Sequence, residues 1–220
     1  MFKSILSFIA SFVCPSEQLV VVVSNDINAT SGVMQRYEKR GEWEKVGERV
    51  PVTLGRGGMG YASLKEPLKR EGDGRTPLGV FEITSAFGYS ETGRSKLPYL
   101  YADETLICVD DPQDGRYNTI IRLEGEAPKS FERMRREDDV YRHGAVIGYN
   151  PAGEKGRGSC IFLHLNHADG HPTSGCTAMN EADLVALLEW LDAQKKPKIV
   201  QIPKNECGNF KKEFEGIECD

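Results

Sequence analysis

The sequence predicts a mainly β domain with one or two helices at its side. Two observations carry that expectation. Short apolar or β-branched runs recur along the chain, and they are separated by loops rich in Gly, Pro, Asp and Asn. Only one stretch, near residues 180–191, repeats leucine at helical spacing.

The elements follow in order. Residues 1–14, "MFKSILSFIASFVC", hold one lysine and then an apolar run from Ile5 to Val13 that is too short to span a bilayer as a helix. The stretch reads as a secretory leader over residues 1–16, with an N-terminal core helix as the alternative. Cys14 raises the idea of a lipid anchor, but "SFV" in front of it lacks a small residue just before the cysteine. "QLVVVVS" (18–24) has strand length and β-branched composition, and "VMQRYEKR" and "EWEKVGE" read as a hairpin turning at Gly41. "VPVTLGRGGMG" is a short strand running into glycines. A phosphate loop is the alternative reading, but no Gly-Lys-Ser/Thr ends the stretch and no helical pattern follows it.

"EGDGRTPLGVFEITSAFGY" gives turn, strand and turn, and further strands are expected in "TLICVD", "NTIIRL" and "GAVIGYN". "APKSFERMRREDD" (127–139) is expected to be helical, with Phe131 and Met134 on one side and its charges solvated. "GSCIFLHLN" is a strand. Asn180 caps a helix carrying Leu184, Leu187, Leu188 and Leu191, with Asp183 in its first turn and Pro197 at its end, and "KIVQIP" supplies the last strand. One domain over 17–204 and a polar tail over 205–220 follow from this pattern, and 220 residues do not require a second core.

With 28 basic against 33 acidic residues the formal charge is −5, which disfavours a broad phosphate-binding surface. Nucleic acid is therefore not an expected partner. If the leader and Cys14 are removed, Cys108, Cys160, Cys176, Cys207 and Cys219 remain. An odd number in an oxidising compartment leaves one thiol to be sheltered or used. Cys207 and Cys219 could staple the tail, although four cysteines permit three pairings.

Cys176 lies in "HADGHPTSGCTAMN", and an ordinary thiol is only about 3% thiolate at pH 7, so a nucleophilic cysteine needs a base. His164 stands at a strand end twelve residues earlier, and the polar segment between them can fold back. Gly175 lets a substrate approach the backbone, and the amides of Gly175 and Cys176 could form an oxyanion hole. A zinc site built from His164, His167, His171 and Cys176 is a second reading. Against it, the spacing fits no known finger, and His164 and His167 would face opposite ways if the strand reached Asn166. His167 and His171 then read as exposed loop residues, and His143 as a surface histidine.

"GDGRTPLGVFEI", "GSCIFLH" and "PTSGCTAMN" together resemble the catalytic domain of L,D-transpeptidases, the YkuD-like cysteine enzymes of bacterial cell-wall metabolism, over about residues 18–203. On the family's signature His164 matches the histidine, Thr173 the Ser/Thr, Gly175 the glycine and Cys176 the nucleophile. Ser174 stands where a second histidine is usual, and Thr-Ala-Met follows Cys176 in place of a segment containing arginine. These departures suggest a divergent Thr-Ser-Gly-Cys branch. Thr173, Ser174, Thr177 and Arg157 are expected substrate contacts, and Arg75 and Arg56 are further cations that could hold a substrate carboxylate.

The resemblance implies a β-sandwich-like fold with the helix packed to one side; the leader points to an exported protein of the periplasm or cell envelope, and neither a metal nor a cofactor is expected. Its partners would be peptidoglycan stem peptides, and no transmembrane segment would remain once the leader is gone. The resemblance also implies a thioester reaction on tetrapeptide stems, with D-alanine leaving and an amine acceptor resolving the intermediate. With water as acceptor the protein would be an L,D-carboxypeptidase, and a catalytically silent wall-binding module is the other alternative.

Overall fold

The computed structural model describes residues 16–63, 65–212 and 214–219. The leader and Cys14 lie outside the described residues. Thirteen strands follow in chain order: β1 Gln18–Ser24, β2 Ser31–Arg40, β3 Glu42–Thr53, β4 Met59–Tyr61, β5 Thr76–Gly88, β6 Tyr99–Tyr101, β7 Leu106–Val109, β8 Ile120–Arg122, β9 Phe131–Arg133, β10 His143–Ile147, β11 Phe162–Leu165, β12 Thr177–Met179 and β13 Lys198–Pro203. Two helices, α1 Glu181–Trp190 and α2 Cys207–Phe210, lie late in the chain. The mainly β expectation holds.

Eight of the strands form a closed circuit. The hydrogen-bonded order runs β10-β11-β12-β3-β2-β1-β13-β5, and β5 pairs back onto β10, so no free edge is left in that ring. β1 sits at its centre, antiparallel to β2 and parallel to β13. Its burial on both faces explains the unbroken β-branched run, since Leu19, Val20, Val21 and Val22 are all in the core. β2 and β3 form the hairpin at Gly41, whose φ of +89° a side chain would disfavour. The glycines of 55–60, whose spacing fits G-x-G-x-x-G, run into β4 rather than into a helix.

A small second sheet, β8-β7-β9, overturns one expectation. Residues 127–139 are not helical: β9 pairs antiparallel with β7, and Met134 N–H donates to the Leu106 carbonyl at 2.9 Å. The two apolar positions that suggested a helix face are used differently. Met134 is fully buried in a second apolar cluster with Leu106, Cys108, Cys160 and Cys176, while Phe131 is half-buried. Two apolar residues in thirteen do not anchor a helix when a neighbouring strand offers its backbone.

The helix after residue 180 forms as its cap predicts. Asn180 Oδ1 accepts from Asp183 N–H at 2.9 Å, and Leu184, Leu187, Leu188 and Leu191 are buried where α1 packs on β10 and β11. It ends at Trp190, earlier than Pro197, because Leu191 is extended and a separate 3-10 turn over Ala193–Lys195 follows.

Among the described residues the cysteines pair as Cys108–Cys160 and Cys207–Cys219, which leaves Cys176 free and buried. The second bridge closes a loop within the described part of 205–220, and that part packs against the hairpin. Phe214 meets Trp43 edge-on at 6.3 Å, Ile217 is buried, and Glu218 N–H donates to the Tyr37 hydroxyl at 3.1 Å. No helix among the described residues is long and apolar enough to cross a membrane.

Candidate active site

β11 and β12 run parallel, with Leu163 opposite Thr177 and His164 opposite Ala178. The chain between them folds back, which brings the residue just before β12, Cys176, alongside Phe162. Phe162 N–H donates to Cys176 Sγ at 3.3 Å, and the thiol donates to the Cys160 carbonyl at 3.5 Å. His164 is buried, and its Nδ1 lies 2.7 Å from the Leu165 carbonyl. A carbonyl can only accept, so Nδ1 carries the proton and the lone pair sits on Nε2. Cys176 and His164 line one cavity of about 300 Å³.

The turn in front of the thiol is fixed by hydroxyls. Thr173 Oγ1 donates to the Cys176 carbonyl at 2.6 Å and accepts from Gly175 N–H at 3.1 Å. Thr76 Oγ1 reaches the same carbonyl at 3.3 Å and accepts from Gly55 N–H at 2.9 Å. Backbone bonds from Thr173 N–H to Leu54 and from Arg56 N–H to Thr173 tie the turn to the end of β3. Gly175 has φ +141°, and a Cβ there would stand 2.9 Å from the Arg75 carbonyl, so only glycine fits. Its amide, expected in an oxyanion hole, is occupied by Thr173 Oγ1 in this arrangement.

Burial sets the electrostatics. It pushes the Cys176 thiol up to about 12, aided by the Glu132 charge and opposed by the Phe162 amide, Lys69 and Arg136. Burial also takes the His164 imidazole down to about 4, against the Leu165 carbonyl that favours the charged ring. The resting pair is therefore a neutral thiol and a neutral imidazole.

Other residues fall in unexpected places. Arg157 donates to the Ala62 carbonyl and lines a separate cavity with Tyr149 and Pro151, so it stands outside the Cys176 cavity. Thr177 is fully buried and donates to Gln201 Oε1 at 2.5 Å, an internal bond between β12 and β13. Arg75 Nη1 is committed to the Met59 carbonyl at 2.9 Å. Arg56 alone of the three loop arginines lines the cavity, where its Nη1 donates to Ser174 Oγ at 2.8 Å.

His167 and His171 do not point away from His164. The strand ends at Leu165, so the alternation of faces stops there, and both imidazoles join the cavity wall. They stack on each other with centroids 3.9 Å apart, His167 lies 6.1 Å from the His164 ring, and His171 is paired with Asp169. His143 is elsewhere, 3.4 Å from Glu181 at the start of α1. No group of three or more His, Cys, Asp or Glu side chains is placed to share a metal ion among the described residues.

The opposite wall comes from the segment expected to be a solvated helix and from the two residues just after it. Glu132, Arg136, Val140 and Tyr141 all line the cavity. Tyr141 packs edge-on against His164 at 5.3 Å and against Phe162 at 5.5 Å, and its hydroxyl donates to Glu132 Oε2 at 2.7 Å. Arg136 lies over the Tyr141 ring at 5.1 Å and grips Asp138 with two hydrogen bonds of 2.9 and 2.6 Å.

A sheltered thiol, a histidine with its ring oriented by a carbonyl, and a polar cavity lined by both are groups that cysteine-dependent acyl transfer could use. The model of the L,D-transpeptidase catalytic domain, YkuD, matches residues 25–202, and the chain belongs to that family. The match covers the domain as a whole and singles out no branch within it. Membership implies an enzyme of L,D-transpeptidase type acting on peptidoglycan. No curated protein matches the chain. Two disulfides and a cell-wall enzyme family both fit an extracytoplasmic setting.

Proposed function

We propose that the protein is a peptidoglycan L,D-transpeptidase in which Cys176 forms a thioester with tetrapeptide stems, releasing D-alanine, and passes the acyl group to an amine. The observation that carries this reading is the placing of the unpaired Cys176 thiol in one cavity with His164, whose Nδ1 is fixed on the Leu165 carbonyl so that Nε2 is free to take a proton.

Because both groups rest neutral, the thiol does not wait as an ion pair. The proton moves to Nε2 as sulfur bonds to the carbonyl between the L-centre of the diamino acid and D-alanine. The Cys176 amide at the head of β12 takes the developing oxyanion. The protonated His164 gives its proton to the departing D-alanine nitrogen, the C–N bond breaks, and the thioester remains. Arg56, held at the rim by Ser174, is placed to meet a substrate carboxylate in the part the absent signature arginine leaves open.

Incubation with tetrapeptide muropeptides is expected to release D-alanine and leave a mass-detectable adduct on Cys176, absent in Cys176→Ala and in His164→Ala. Intact tetrapeptide and no adduct at neutral and mildly alkaline pH would sink the reading. Product masses separate cross-linked dimers from the tripeptides that an L,D-carboxypeptidase would make.

A further inference from the structure

Glu132 is a half-buried carboxylate on the wall of the cavity that holds Cys176, and it has no ion-pair partner among the described residues. Of the two arginines that line the cavity, Arg136 has its guanidinium committed to Asp138 and Arg56 donates to Ser174. Tyr141 satisfies one Glu132 oxygen, Oε2, at 2.7 Å. A carboxylate left without a counter-charge inside a cleft is costly unless a ligand brings one. Other charged or titratable groups around it are Asp110, Glu71, Tyr141, Arg136 and Cys176.

An amine acceptor needs such a group. An aliphatic amine with a lysine-like pKa is a free base in only about one molecule in 2,500 at pH 7, so it enters the cavity as an ammonium ion. Aminolysis of a thioester removes two protons from that nitrogen, one before attack and one after it. His164 returns to the neutral state once D-alanine has left, and its single lone pair accounts for one of them.

We propose that Glu132 is the seat and the base for the acyl acceptor: its carboxylate binds the incoming ammonium beside the Cys176 thioester and takes the first proton. This rests on the transpeptidase reading. The free amine attacks the thioester carbonyl, the C–N bond forms and the C–S bond breaks. His164 takes the second proton from nitrogen and delivers it to the Cys176 sulfur, while Glu132 sheds its own to solvent. Burial, with Asp110 and Glu71, raises the Glu132 carboxyl above the usual range, against Tyr141 and Arg136, and this brings it nearer to the pH at which a base works best.

The test measures the two half-reactions of the full chain separately, with adduct formation on a tetrapeptide muropeptide first and transfer to added acceptors second. In Glu132→Gln, transfer to a second stem peptide is expected to fall about a hundredfold relative to acylation. Transfer to hydroxylamine, which is already neutral at pH 7 and has no first proton to lose, should stay within about threefold of wild type. Equal losses with both acceptors, or no loss with either, overturn the role of Glu132.

Should Glu132→Gln fail to fold, the wild-type protein answers alone. Transfer to the stem peptide must level off near neutral pH, once ionised Glu132 takes the first proton from the ammonium, and a rate that instead climbs about tenfold per pH unit toward the amine's own pKa overturns the proposal. A wild type that never forms the Cys176 adduct overturns the transpeptidase reading instead, and so the two failures are distinguishable.

Discussion

Thr173 holds the thiol turn with one oxygen, donating to the Cys176 carbonyl at 2.6 Å and accepting from Gly175 N–H at 3.1 Å. Thr173→Val keeps the shape of the side chain but leaves a buried N–H without a partner and weakens the hold on a carbonyl that Thr76 reaches only at 3.3 Å. A cost of about 1–3 kcal/mol in urea unfolding is expected, with slower acylation, and Thr173→Ser should restore both. A second expectation concerns pH. With the imidazole lowered from 6.5 to about 4, the unfolded chain binds a proton that the native protein refuses, so the stability His164 contributes is present above pH 6.5 and is lost as pH falls toward 4. Between pH 7 and 4.5 this amounts to about 2 kcal/mol. Urea titrations of His164→Asn against wild type should show a pH dependence smaller by that amount, and equal slopes would refute it. The two residues proposed to react could be singled out in the sequence because each stands in a short motif. Arg157 could not be distinguished from Arg56, since both are loop arginines beside glycines and only the tertiary fold decides which one meets the cavity.

At the scale of the element, β11 and α1 were legible because local signals agreed, an apolar run, a capped start and leucines at helical spacing, whereas the three residues of β12 were read as loop. Residues 127–139 were not legible, because pairing with β7 is a non-local event that a local pattern of charges and two apolar residues cannot announce. That misreading hid Glu132 and Arg136, whose charges look solvated until the small sheet is folded over the site. The Cys108–Cys160 bridge ties β7 of that sheet to the residue whose carbonyl receives the Cys176 thiol. The double variant Cys108→Ser/Cys160→Ser is expected to lose about 2–5 kcal/mol of stability. Its Cys176 should also be alkylated faster by iodoacetamide than in wild type, since the carbonyl and the cover both loosen. Unchanged alkylation would show that the bridge serves stability alone.

For the whole molecule, eight strands close into a circuit, and the described residues after Lys204 pack against its β2–β3 hairpin. The polar composition of this stretch suggested a tail, yet its few apolar side chains are the ones that dock: Phe214 on Trp43, Ile217 in the same core, and Cys207 bound to Cys219 to hold the turn closed. None of them lines the Cys176 cavity. Truncation after Lys204 should therefore separate stability from chemistry. Exposing the apolar surface that Phe214 and Ile217 cover costs about 1.5–3 kcal/mol for each buried side chain, so the melting temperature should fall by several degrees and Trp43 emission should shift to the red. Acylation of Cys176 by a tetrapeptide at a temperature well below melting should proceed at the wild-type rate, because β11, β12, the 166–176 turn and the small sheet are all outside the deleted segment. A truncated protein that melts normally would show that the segment adds no stability. One that stays folded but no longer forms the adduct would show that the hairpin face and the thiol site are coupled through the ring.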